Sequence, residues 1–197
     1  MSLGVLTEPF PNGERFFIVL RFDERRPTEV EFETHLVHGS KPDAVVITAT
    51  YGNLTRLRDA YLRAGVENAK EIYGGFRGTG FAPPSFFPRG DFLKDEKGDL
   101  LFVTAPDEDR PWETKPYPHP GKLLQYYRKR NATEDLSGFV NARLYFWKTR
   151  KKVPGGVAYE NTGLLEPFDT GERFSFGIYN GRVSDLLKRG ASKPLPD

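Results

Sequence analysis

Ten cations fall between residues 115 and 152: Lys115, Lys122, Arg128, Lys129, Arg130, Arg143, Lys148, Arg150, Lys151 and Lys152, opposed only by Glu134 and Asp135. Tyr126, Tyr127, Tyr145, Phe146 and Trp147 are interleaved with them. Positive charge attracts phosphate, and flat rings stack on unpaired bases. The segment is therefore expected to contact nucleic acid or another polyanion, through Lys122, Arg128, Lys129, Arg130, Arg143, Lys148, Arg150, Lys151 and Lys152, with Tyr126, Tyr145 and Trp147 as stacking partners. The condition is that RKR at 128–130 and KTRKK at 148–152 share a face and that some rings between them reach water.

A second site is legible in Gly74 to Gly90, GGFRGTGFAPPSFFPRG, whose glycines and prolines exclude a regular helix and whose phenylalanines require burial. An ordered aromatic loop beside the turn at 50–55 could wall a small-molecule pocket, lined by Tyr51, Asn53, Thr55, Phe81, Phe86 and Phe87. The third possibility is a structural or assembly protein, a possible homo-oligomer, with its charged segments as contact surfaces.

Other chemistry finds less support. The chain has no cysteine, which excludes disulfides, thiolate nucleophiles and Cys-ligated metals. On a helix His35 and His38 would share a face, but no third ligand accompanies them, so no metal or cofactor is expected. No Gly-x-Ser-x-Gly elbow and no Gly-rich phosphate loop occurs. No nucleophile or reaction is identified, which leaves open whether the chain is an enzyme.

The charge is lopsided. Residues 1–114 hold 14 basic and 19 acidic side chains (net −5), residues 115–152 hold 10 and 2 (net +8), and residues 153–197 hold 5 and 6 (net −1), giving the overall +2. No run of 18 apolar residues and no leader-like start is visible, so neither a membrane span nor a signal peptide is expected, and the cytoplasm is the expected compartment.

The elements that would position these groups are read from periodicity. Arg15–Phe22 reads as a strand. Thr28 and Glu31 fit a capping box, which predicts a helix to Gly39, although Glu31, Glu33 and His35 also alternate with Phe32, Thr34 and Leu36 as in a strand. Ala44–Thr50 reads as a buried strand, Asn53 as an N-cap, and Leu54, Leu57, Tyr61 and Ala64 as one helical face ending at Gly65. Asp91–Ala105 reads as a hairpin around Glu96-Lys97-Gly98, Lys122–Lys129 as a short helix, Gly138–Thr149 and Glu172–Tyr179 as strands, and Val183–Arg189 as a closing helix. The expected fold is a single α+β domain. It comprises an N-terminal β-α-β-α part over about 1–73, a mainly antiparallel β part over about 74–190, and a frayed tail.

Overall fold

The computed structural model describes residues 1–50, 56–107, 123–145, 152–153 and 155–189. Thirteen strands and two short helices are assigned among them. The strands are β1 (Ser2–Leu6), β2 (Arg15–Phe22), β3 (Glu29–His38), β4 (Thr48–Thr50), β5 (Leu57–Leu62), β6 (Gly65–Asn68), β7 (Ser85–Pro88), β8 (Leu93–Lys94), β9 (Leu100–Pro106), β10 (Leu123–Lys129), β11 (Ser137–Arg143), β12 (Ala158–Leu165) and β13 (Glu172–Asn180). The helices are α1 (Ala69–Tyr73) and α2 (Val183–Arg189).

Every strand pairing among the described residues is antiparallel. The larger sheet runs β1-β2-β3-β13-β10-β9-β5-β6, with β8 also on β9, and the smaller runs β4-β12-β11-β7. The expected N-terminal β-α-β-α segment is therefore not formed, and the fold is mostly antiparallel β rather than α+β.

Two misread stretches show why. Residues 29–38 carry helix-cap signals, but their alternation places Val30, Phe32, Thr34 and Leu36 on one face and Glu29, Glu31, Glu33 and His35 on the other. Both sides of the strand find partners: Leu20 of β2 and Phe174 of β13 flank Phe32, and the Phe32 and Phe174 rings stack at 5.0 Å and 4°. Two ladders and an aromatic pair outweigh a local cap worth about 1 kcal/mol. Residues 57–62 match a helical period equally well, yet β5 is held between β9 and β6. Its last two residues turn through Arg63 and Ala64 into β6, with Gly65 at φ 147° opposite Leu62. The Asn53 cap falls outside the described residues. Lys122–Lys129, read as a helix, is the central strand β10 from Leu123 onward, with β13 and β9 on either side.

The period-2 pattern sorts side chains into two cores. Leu57, Ala60, Phe102 and Tyr127 of the larger sheet pack against Phe87, Val140, Ala142, Tyr159 and Leu164 of the smaller one. On the reverse face, Leu101, Val103, Ala105, Leu124, Tyr126 and Tyr179 are covered by Leu186 of α2. Tyrosine hydroxyls stitch the sandwich. Tyr127 Oη donates to Thr162 O at 2.7 Å and accepts from Ala49 N at 2.9 Å; burial pushes this phenol up to about 12, with the two bonds acting against it. Tyr126 lies over Gly177, where a Cβ would sit 2.4 Å from its ring, and its hydroxyl donates to Glu29 Oε2 at 2.9 Å. The smaller sheet covers β5, β9, β10 and β13. Strands β1 to β3 project beyond that shared core.

Candidate functional site

The RKR run lies at the end of β10, where alternation sends Arg128 and Lys129 to opposite faces. Both are buried, at 4% and 5% exposure. Arg128 Nη1 pairs with Asp95 and lies 3.7 Å from Asp99 Oδ2, and its Nε lies 3.6 Å from Glu29 Oε2. Asp95 is itself fixed, because its Oδ1 accepts the backbone N–H groups of Lys97 and Asp99 at 2.9 and 3.0 Å in the β8–β9 turn. A buried guanidinium needs compensating charge, and here three carboxylates supply it. Arg128 Nη2 is buried without a hydrogen-bond partner among the described residues.

On the opposite face, Lys129 Nζ joins the two sheets at their end. It pairs with Glu166, which follows β12 of the smaller sheet, and with Glu172 Oε1 of β13 at 2.8 Å. Thr133 supports Glu166 with its backbone N–H and its hydroxyl, both toward Oε2. Burial and the neighbouring Glu166 carboxylate push Glu172 up to about 7, with Lys129 acting against them. Glu166 moves the other way: burial would raise it, but bonds from Glu172 and Lys129 hold it low. The two carboxylates over one ammonium are thus pushed in opposite directions, Glu172 up and Glu166 down. Arg130 is the exposed member of the run, with Nε donating to Asp99 Oδ2 at 3.0 Å.

Arg143 lies on β11 of the smaller sheet. Its guanidinium stands 4.7 Å from the Phe81 ring centre and 3.7 Å from Glu160 Oε1. Lys152 is exposed and bridges to Tyr145 through the backbone. Lys122, Trp147, Lys148, Arg150 and Lys151 lie outside the described residues. Of the expected stacking rings, Tyr126 is fully buried and Tyr145 partly exposed. The residues brought together at this end are thus Arg128, Lys129 and Arg130, and they meet five carboxylates.

The aromatic loop is divided in the same way. Phe87 enters the core, Phe86 lies beside Phe139 on the outer side of the β7–β11 pair at 5.9 Å, and Phe81 is half exposed under Arg143. Tyr51, Asn53 and Thr55 lie outside the described residues. Among the described residues, open clefts lie in two places. One of about 470 Å³ lies at the charged end, lined by Arg128, Lys129, Glu166, Glu172 and Arg173 among others. The other, of about 610 Å³, lies beside Arg21, Arg26, Glu29 and Glu31. Neither is lined by Phe81, Phe86 or Phe87. His35 and His38 pair with Phe17 and Arg15 across a bulge in β3, which puts both on one face, but no third ligand joins them among the described residues. His35 Nε2 bonds to Glu33 Oε1 at 2.8 Å instead. No group of three metal-ligating side chains occurs among the described residues.

No known family matches the chain, and no curated protein or solved structure is significantly similar to it.

One surface that the charge pattern did not point to is β1. Its sequence, SLGVL, carries no charge and no proline, and all five residues are exposed. Among the described residues only one side of it is paired, to β2. Leu3 and Val5 lie opposite Leu20 and Ile18, on the face that also holds Phe32 and Phe174. The other terminal strands differ: β6 is four residues long and holds Glu67, β4 has three residues, and β7 ends in Pro88. Short length, charge and proline are the usual guards of a sheet edge, and β1 has none of them. The sequence did hold a signal, in the alternation of Leu3 and Val5 with Ser2, Gly4 and Leu6, but too short a run to read as a strand by itself.

Proposed function

We propose that the protein is an assembly subunit whose contact surface is the free edge of β1 with the adjoining apolar face of β1 to β3. Strand addition at β1 would satisfy its outward backbone groups and continue the apolar face. The observation that carries this reading is an unguarded edge of five exposed residues, whereas the far end of its sheet and both ends of the smaller sheet are guarded. Exposed apolar residues lie beside it on both faces: Leu3, Val5 and Phe22 on one, Leu6 and Phe17 on the other. Patches of this kind mark interaction surfaces.

The polyanion reading draws less support from the described residues. Arg128 and Lys129 are buried against carboxylates, which leaves Arg130 and Lys152 as its exposed cations there. In the charged cleft Lys129 is already paired with Glu166 and Glu172, and Arg173 with Glu33.

The test uses a dye-labelled peptide copying residues 2–7 as an extended strand. Fluorescence anisotropy is expected to detect saturable binding to the intact chain and at least a tenfold loss with the Leu3→Lys/Val5→Lys variant. Equal binding to the variant, or none to the native chain, rejects the edge as a contact surface.

A further inference from the structure

The alternation of backbone groups along β1 fixes what can pair with it. Met1 exchanges both backbone bonds with Phe22, and Thr7 N donates to Phe16 O. Odd-numbered residues of β1 therefore face β2, and the N–H and C=O groups of Ser2, Gly4 and Leu6 face the open edge.

We infer, resting on the edge-contact reading above, that the occupant of this edge is β1 of a second copy, paired antiparallel about a twofold axis at Gly4. In that register Ser2 faces Leu6 of the partner, Gly4 faces Gly4, and Leu6 faces Ser2. The three outward residues then exchange all their backbone bonds, about six in total. No other antiparallel register of two identical strands uses all three.

The side chains agree with this register. On one face, Leu3 lies opposite Val5 of the second copy. The row Phe174, Phe32, Leu20, Leu3 is thereby continued by the second copy's Val5 and Ile18, and the twofold repeats the row in the other direction. On the other face, a Cβ at Gly4 would meet Cζ of Phe17 at 2.5 Å, so this ring reaches over Gly4 toward the edge. A second glycine opposite leaves room for both rings, whereas a side chain there would meet one. A glycine covered by a neighbouring aromatic ring is a stabilising device of edge strands.

Charge does not oppose the pairing. β1 carries none, so no like charges face each other across the axis. Glu33 lies two strands inside β1, on the row of Val19 and Gly4. It would stand about 24 Å from its symmetry mate, five strand spacings of about 4.8 Å, well beyond the screening length of about 8 Å at physiological salt. It is also held down by Arg21, Arg173 and His35, which outweigh the effect of its burial.

The register can be trapped because the chain has no cysteine of its own. Leu3 and Val5 of the two copies form a non-hydrogen-bonded pair, with Cα atoms about 4.5 Å apart, inside the range a disulfide spans. Leu3 and its own symmetry mate are diagonal neighbours at about 7–8 Å. Single variants Leu3→Cys and Val5→Cys are therefore mixed and oxidised. A covalent dimer is expected from the mixture and at most a fifth as much from either variant alone. Sedimentation velocity of the native chain should show its mass doubling with concentration, and the Leu3→Lys/Val5→Lys variant should stay monomeric with unchanged circular dichroism. A native chain that is monomeric at several hundred micromolar overturns the inference, as does a dimer that survives in the lysine variant or crosslinking without preference for the mixture. If the native chain is monomeric while the 2–7 peptide still binds at β1, homotypic pairing fails and the edge-contact reading stands. If neither occurs, both fail.

Discussion

At the end of β10 three consecutive cations meet five carboxylates, while along β1 five consecutive residues carry no charge at all. The first region drew attention in the sequence because charge is conspicuous, yet its charges are consumed within the fold. Arg128 is closed in by Glu29, Asp95 and Asp99, and Lys129 by Glu166 and Glu172. The second region is inconspicuous, yet among the described residues its backbone finds a partner on one side only, and its side chains are exposed. A cation run thus says little about partners until its counter-charges are located, and these come from strands far away in the chain.

Several substitutions would break or sharpen this contrast. The largest effect is expected from Arg128→Ala, which leaves Asp95, Glu29 and Asp99 together without their central cation. Removing one partner of such a buried cluster costs about 3–5 kcal/mol, measurable by urea denaturation. A loss below about 1 kcal/mol would mean that Arg128 is not consumed by the fold. Next comes Gly177→Ala, where the added Cβ strikes the buried Tyr126 ring and strains its bond to Glu29. Overpacking of this kind costs about 1–3 kcal/mol.

The sheet-joining clasp has a pH signature. Glu172 titrates near 7 in the fold against an ordinary value of 4.5, so between those values the folded state holds a proton that the unfolded state has lost. Stability contributed by Glu172 is therefore present below about pH 4.5 and is lost as pH rises toward 7. Thermal unfolding of Glu172→Gln should show a flatter decline over that window than the native chain. An unchanged slope would exclude Glu172 as its source. The smallest effect belongs to the edge: at concentrations low enough to keep monomers, Leu3→Lys/Val5→Lys should alter stability by less than about 0.5 kcal/mol, because these side chains are exposed. A larger loss would place them in the core.

How much of this was legible beforehand varied by element. Strands with long alternation were readable: Glu172 with Phe174, Phe176 and Ile178 marks β13, and Arg15–Phe22 marks β2 exactly at its bounds. The closing helix was readable too, over Val183–Arg189. Helix signals misled where the ladder was non-local. The Thr28/Glu31 pair imitates a capping box, but Glu31 lies opposite Arg21 and Ser175, contacts that no local window contains. The site was legible as a cluster of cations and not as a set of ion pairs, because Asp95 and Glu166 are more than thirty residues from the side chains they neutralise. Membership of the aromatic loop in the core could be foreseen for Phe87, but alternation along β7 turns Phe86 outward.

Amide hydrogen exchange along β1 as a function of protein concentration is the most direct test of the central claim. The N–H groups of Leu3 and Val5 point to β2 and should be protected at every concentration. Those of Gly4 and Leu6 should exchange freely in dilute solution and become protected as concentration rises. Free exchange of Gly4 and Leu6 at all concentrations would contradict the account, and so would protection that does not depend on concentration.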